Sequence, residues 1–223
     1  EIRLSLVGSE MCIRDRYIST CKRESKPQTK FQYSCLNYIT LQHIIETITG
    51  QSLRDFAKEN IFDILGMQYT DYLPTIQQQD GKWINTVACP WMDRIAPTEK
   101  QKDGSVLCGQ VHDPLARILN GGISGNAGIF SNANDIGILA AALLNGGEYN
   151  GHRILSPLGV KTMCTVPREL TAFGRTPGWD IFSPYASNKG DLFSPNTFGH
   201  TGYTGTSIII DPDNDTAVIL LVN

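Results

Sequence analysis

The chain has no CxxC pair, no histidine cluster at metal-ligand spacing, no basic excess and no apolar run near the roughly 20 residues that span a bilayer. Each absence removes a class of function. Without paired thiols and imidazoles a structural metal site is not expected, and no metal or other cofactor is implied. With 19 basic and 22 acidic residues the formal charge is -3, so nothing here would neutralise a phosphate backbone, and nucleic acid is not an expected partner. The run Ala217 to Val222 has strand length, and no transmembrane helix is expected. Six cysteines, at 12, 21, 35, 89, 108 and 164, are too scattered for a disulfide-dense scaffold, although one bridge remains open. What remains is a 223-residue chain with 41% hydrophobic and 18% charged residues, enough to bury a substantial core in one domain or two subdomains.

The first sixteen residues stand apart. SLVGSEMCIRDR, Ser5 to Arg16, reads as translated sequencing-adapter sequence, so 1–16 is taken as a non-native leader and 17–223 as a partial domain with native sequence missing upstream. The rival reading is an edge strand, because Ile2, Leu4 and Leu6 alternate with polar residues.

From Leu41 the apolar residues Leu41, Ile44, Ile45 and Ile48 fall at i, i+3, i+4 and i+7 and Gly50 follows, which predicts an amphipathic helix with Tyr33 just before it. Ser52 can cap a second helix bearing Leu53, Phe56 and Ala57 and closing at Leu65–Met67, so the two make a helical hairpin. Residues 72–128 carry prolines, glycines and polar residues with little periodicity, an irregular stretch long enough to suggest function or a covering loop. SNANDIGILAAALLNGG then opens with Asn132 and Asp135 as a cap pair and stripes Ile136, Leu139, Ala140, Leu143 and Leu144. Ser156 and Pro157 start a short helix through Val160 and Met163. The tail changes period, and two β-branched runs about DPDND predict a hairpin of strands near 202–210 and 216–222. On this reading about 31–165 is mainly helical and 196–223 supplies strands.

The stretch YSCLNYITLQHIIETITGQSLRDFAKENIFDILGM resembles the segment of beta-lactamase-related serine hydrolases and penicillin-binding-protein-like enzymes that carries a Tyr, Ser/Ala, Asn/Asp triplet. Three further stretches are similar to the same family in the same order: RIAPTE with GQVHDP, then GGISGNAGIFSNANDIGILAAALLNGG, then GHTGYTGTSIIIDP. Four ordered stretches over 31–223 are far more specific than any one triplet. The resemblance implies an α+β fold, an antiparallel sheet flanked by helices with an all-helical subdomain, here truncated. It implies an acyl-enzyme hydrolase whose nucleophile is the serine of an SxxK motif. By resemblance Tyr33 moves the proton of that serine, the Tyr203 backbone N–H serves the oxyanion hole, and His200, Thr201 and Gly202 stand at the KTG-type motif bordering the cleft. Cys35 occupies the triplet's third, substrate-binding position.

The chemistry explains why those residue types are needed. A serine hydroxyl at neutral pH is a poor nucleophile, so an amine or a phenolate favoured by nearby positive charge must take its proton. Gly202 would leave room for an extended acyl or peptide group along a strand edge. Two positions depart from the family. Cys35 cannot make an amide's directed hydrogen bonds, and His200 carries a conditional charge where a lysine would hold a substrate carboxylate. The SxxK in the chain, Ser19 to Lys22, precedes Tyr33 by only fourteen residues and reads as a decoy, with the true nucleophile upstream of Tyr17.

Plain structural readings stand for the other candidates. His112 beside Asp113 reads as a structural pair, His43 and His152 as surface residues, and GGISGNAG as a tight turn, because it lacks the lysine of a phosphate loop. Single thiols at Cys35 and Cys164 make a cysteine hydrolase a poor fit. The expectation is therefore a nearly inactive fragment of an exported, periplasmic or cell-envelope hydrolase. Its substrate would be a small molecule or peptide: a peptidoglycan peptide, a beta-lactam or a small ester. The parent could also be fused to a glycosidase domain. The alternative is a non-catalytic binding or scaffold module with the same fold.

Overall fold

The computed structural model describes residues 18–22, 24–26, 29–183 and 189–222. The leader, Tyr17 and the rival edge strand at its start lie outside the described residues. The chain forms two compact units, one running to Ala57 and resuming over Asp71–Phe130, the other taking Lys58–Thr70 and everything from Ser131.

In the first unit, helix α1 (Cys35–Thr49) starts where Ser34 turns extended and its Oγ accepts from the Leu36 N–H at 3.3 Å. It stops at Gly50, whose φ of 71° is the left-handed geometry of a helix end, with its N–H on Glu46 O. The helix thus begins earlier than the apolar stripe suggests, and the stripe does not set its buried face. Ile39 and Gln42 are buried, whereas Leu41, Ile44 and Ile48 are 49, 45 and 78% exposed. Helix α2 (Leu53–Ala57) follows with Ser52 as the expected cap, its Oγ accepting from Asp55 N–H and donating to Asp55 Oδ2.

Arg54 then ties α2 to strand β1 (Asp71–Tyr72) through two parallel bonds to the Asp71 carboxylate, at 2.9 and 2.6 Å. β1 pairs antiparallel with β6 (Ile129–Phe130). Between them the irregular stretch is threaded by two small ladders, β2 (Thr75–Gln77) with β3 (Trp83–Asn85) and β4 (Glu99–Lys100) with β5 (Val106–Leu107). Strands of two or three residues carry too little periodicity to be seen in sequence. Leu73, Trp91, Leu107, Val111 and Ala116 are buried in this unit.

In the second unit a π-turn (Lys58–Phe62) and α3 (Asp63–Leu65) end at Gly66, again left-handed. Helix α4 (Ala133–Leu144) has the predicted cap: Asn132 Oδ1 accepts from Asp135 N–H at 2.8 Å. The Asp135 carboxylate turns inward, 1% exposed, and accepts from Tyr69 N–H and Thr70 Oγ1 at 2.7 and 2.8 Å. A hairpin of β7 (Glu148–Tyr149) and β8 (His152–Arg153) turns on Asn150 and Gly151, both at positive φ, as a two-residue turn requires. Helix α5 (Pro157–Cys164) is capped by Ser156 with proline in the first turn, as expected.

The chain closes in an antiparallel sheet ordered β11–β10–β9, from β9 (Phe198–Thr201), β10 (Ser207–Asp211) and β11 (Thr216–Leu220). The β10–β11 hairpin turns at the DPDND segment as read. The strand expected near 202–210 is shorter, because Gly202–Thr206 is a turn: Gly205 N–H bonds Gly202 O and Gly202 N–H bonds Thr206 O. Ala140, Leu143, Val160, Ile181, Phe198 and Ile210 form the core under this sheet, with Trp179 tilted on Phe198 at 5.2 Å. Each large side chain buried there contributes about 1.5–3 kcal/mol. The mixture of helices and antiparallel sheet is the expected α+β class.

Candidate active site

The sequence-predicted residues fall into two groups, one per unit. Tyr33 and Cys35 flank the capping Ser34 at the start of α1, with Tyr33 47% exposed and the Cys35 thiol half-buried. The cap dictates this placement, since an extended Ser34 puts its neighbours outside and inside the first turn. His200, Thr201, Gly202 and Tyr203 run together from the end of β9 into the turn, and Tyr203 is 94% exposed.

Among the described residues β9 is one of the two outer strands of its sheet. On one side Thr201, His200 and Gly199 face Ser207, Ile208 and Ile209 in β10. On the other side Gly199 exchanges both main-chain hydrogen bonds with Asp180, at 2.8 and 3.0 Å. A side chain at Gly199 would stand 2.4 Å from Ile208 O, so only glycine fits. Gly202 has a local reason as well. A Cβ there would come within 2.2 Å of Thr206 Oγ1 inside the turn, a constraint separate from any room for substrate.

Three residues that sequence reasoning passed over organise these groups. Arg175 bonds Asp180 through Nη1 at 2.6 Å and reaches His200 Nε2 through Nη2 at 2.6 Å. Opposite charges five residues apart about a Pro–Gly turn, RTPGWD, were the available signal. Gln42, 4% exposed, accepts from Gly125 N–H and donates to Ile123 O, fastening the glycine-rich segment to α1. A Cβ at Gly125 would lie 2.1 Å from Tyr38 O, so 121–128 is the tight turn expected. A polar residue beside an apolar stripe gave little warning of that role.

The remaining candidates have structural partners. His112 faces Glu99 at 3.2 Å, and the neighbouring Asp113 carboxylate accepts from Ala116 N–H. His152 is exposed and His43 half-buried. Ser19, inside a short helical segment at 18–20, and Lys22, just after it, are both exposed. The five described cysteines, 21, 35, 89, 108 and 164, are free thiols. Burial pushes the Cys164 thiol up to about 11 and raises that of Cys89, so neither is an activated nucleophile. Among the described residues no group of three or more His, Cys, Asp or Glu could hold a metal ion, and no helix is long and apolar enough to cross a membrane.

Comparison with known proteins supplies the frame for these groups. Residues 14–223 match the Beta-lactamase family. The chain is 36% identical over 214 residues to the "Putative D-alanyl-D-alanine carboxypeptidase" of Escherichia coli K12, covering 90% of this chain and 46% of that protein. The chain therefore spans about half the length of the curated relatives it matches. Among solved structures it is similar to a beta-lactamase from Mycobacterium bovis, with TM-score 0.55 and 19% identity over 89% of this chain and 58% of that one. It is also similar to the octameric penicillin-binding protein homologue from Pyrococcus abyssi, with TM-score 0.52 and 20% identity over 87% and 39% of the respective chains. At those identities the structural likeness establishes the fold alone.

Proposed function

Because the chain belongs to the Beta-lactamase family, we propose that it is part of a serine hydrolase that cleaves an amide or ester through an acyl-enzyme. The observation that carries this reading is the HTG segment, His200–Gly202, at the end of an edge strand and opening a glycine-bounded turn, within a family match that runs almost the whole chain. Beyond its bridge at Gly199 the outer side of β9 has no further strand partner among the described residues, an edge of the kind that can hold an extended acyl or peptide substrate.

In this reading the nucleophile is the serine of an SxxK motif in sequence upstream of Tyr17, and Tyr33 relays its proton. The Tyr203 N–H is an oxyanion donor, worth a factor of roughly a hundred or more in rate. Cys35, His200, Thr201 and Gly202 border the substrate. The 223 residues alone then retain little activity, because losing an activated nucleophile costs several orders of magnitude. The carboxypeptidase relatives support a cell-envelope setting and a small peptide or ester substrate. A scaffold that kept the fold without the chemistry is favoured by one observation, Cys35 where the family carries Asn or Asp.

The test is acylation of the full-length gene product by a fluorescent penicillin and a nitrophenyl ester. Covalent label on a serine upstream of residue 17, lost when Tyr33→Phe is introduced or slowed about a hundredfold or more, is the expected result. A complete reading frame with no SxxK, no label and no turnover establishes the scaffold instead.

A further inference from the structure

Arg175, Asp180 and His200 form one chain of hydrogen bonds inside the second unit, and its chemistry fixes the state of the imidazole. Arg175 Nη1 donates to Asp180 Oδ2 and Nη2 lies 2.6 Å from His200 Nε2. A guanidinium has donors and no acceptor, so Nε2 must accept. The ring proton then sits on Nδ1, which lies 2.7 Å from the Thr201 carbonyl oxygen and donates to it. Protonating Nε2 would turn N–H against N–H. Both ring nitrogens are committed, one as acceptor and one as donor.

The brace behind the ring is rigid. The Arg175 and Asp180 side chains are 9 and 7% exposed, and Asp180 Oδ1 also accepts from Ser183 N–H at 3.3 Å. The main chain of Asp180 is bonded twice to Gly199, the residue next to His200. The Asp180 carboxylate also neutralises the Arg175 charge at contact distance.

We propose that Arg175, held by Asp180, is a positioning residue that locks His200 as a neutral imidazole, so the end of β9 selects substrates that are uncharged there, esters or capped amides rather than free carboxylates. The substrate half of this statement rests on the hydrolase reading above; the lock itself does not. A lysine at position 200 would present a point charge to a carboxylate, whereas the locked imidazole has no N–H left to give. The Thr201 hydroxyl and the turn main chain suit a neutral carbonyl.

Two measurements decide it. Nitrogen-15 NMR of the histidine side chains in the 223-residue chain at neutral pH, with the His200 signal assigned by its loss in His200→Asn, is expected to show one neutral tautomer protonated on Nδ1. Arg175→Met is expected to move the proton toward Nε2. An imidazolium or an Nε2–H tautomer in the unmodified chain overturns the lock, and that spectrum decides even if the variant does not fold. For the full-length product, kcat/KM on an acyl dipeptide with an amide-capped C-terminus is expected to equal or exceed that on the free acid. A capped probe slower by about tenfold or more, the worth of a lost charge-assisted bond, overturns the substrate selection and leaves the hydrolase reading standing. Absence of turnover on either probe overturns the hydrolase reading and with it the substrate selection, while the spectrum still decides the lock.

Discussion

The strand that carries His200 and the helix that follows Tyr33 are anchored by different means. β9 is stitched on both sides, to β10 along its length and to Asp180 at Gly199, over a core that includes the fully buried Ile210. Helix α1 buries Ile39 and a glutamine, and presents Leu41, Ile44 and Ile48 outward. At about 100° per residue those exposed positions lie nearly opposite the buried ones. Backbone pairing and close packing locate the HTG segment, whereas α1 is fixed by a side-chain cap, one buried isoleucine and one buried amide. The strand group should therefore be rigid and intolerant of substitution, and the helix group more forgiving.

That contrast breaks most sharply at Gly199. Gly199→Val drives a side chain into the Ile208 carbonyl and should cost about 3 kcal/mol, the upper range of overpacking, read as a fall in the urea midpoint. An unchanged midpoint would mean that β9 is not held as described.

Asp211 sharpens the same side. Burial would push its carboxyl up, but bonds from the Ser194 hydroxyl and N–H, the Asn214 amide and the Asp213 N–H outweigh that and hold it well below the usual carboxylate range. A depressed folded value stabilises the protein above the unfolded value of about 3.9 and loses that contribution as pH falls through the folded one. Asp211→Ala should cost about 2 kcal/mol at pH 7 and flatten the acid side of a stability-versus-pH curve. A variant with the same acid slope as the parent would remove Asp211 from that account.

The smallest effect is expected on α1. Ile48→Ala, at 78% exposure, should change stability by less than about 0.5 kcal/mol, measured by thermal or denaturant unfolding. A loss of 2 kcal/mol or more would show that this stripe is buried in solution.

Much of the local architecture was legible because it is written in neighbouring residues. Ser52, Asn132 and Ser156 cap the helices they precede, Gly50 stops α1, and DPDND turns the final hairpin, each acting within a few residues. The Asn150–Gly151 hairpin was equally readable from its dipeptide and was passed over. The predicted 202–210 strand is shorter at its start because Gly202–Thr206 closes a turn, with Gly205 at positive φ and its N–H on Gly202 O, and the glycines at 202 and 205 were the local signal for it.

Helix caps, helix stops, the turn of the final hairpin and, through four ordered stretches, the family were written in the sequence, because caps, turns and motifs depend on residues close along the chain. Tertiary structure decided which face of α1 is buried, and that Arg175 and Asp180 take hold of His200 twenty to twenty-five positions away. Apolar periodicity records which side of a helix can be buried and not what covers it, and the donors that fix an imidazole's proton are chosen by proximity in space.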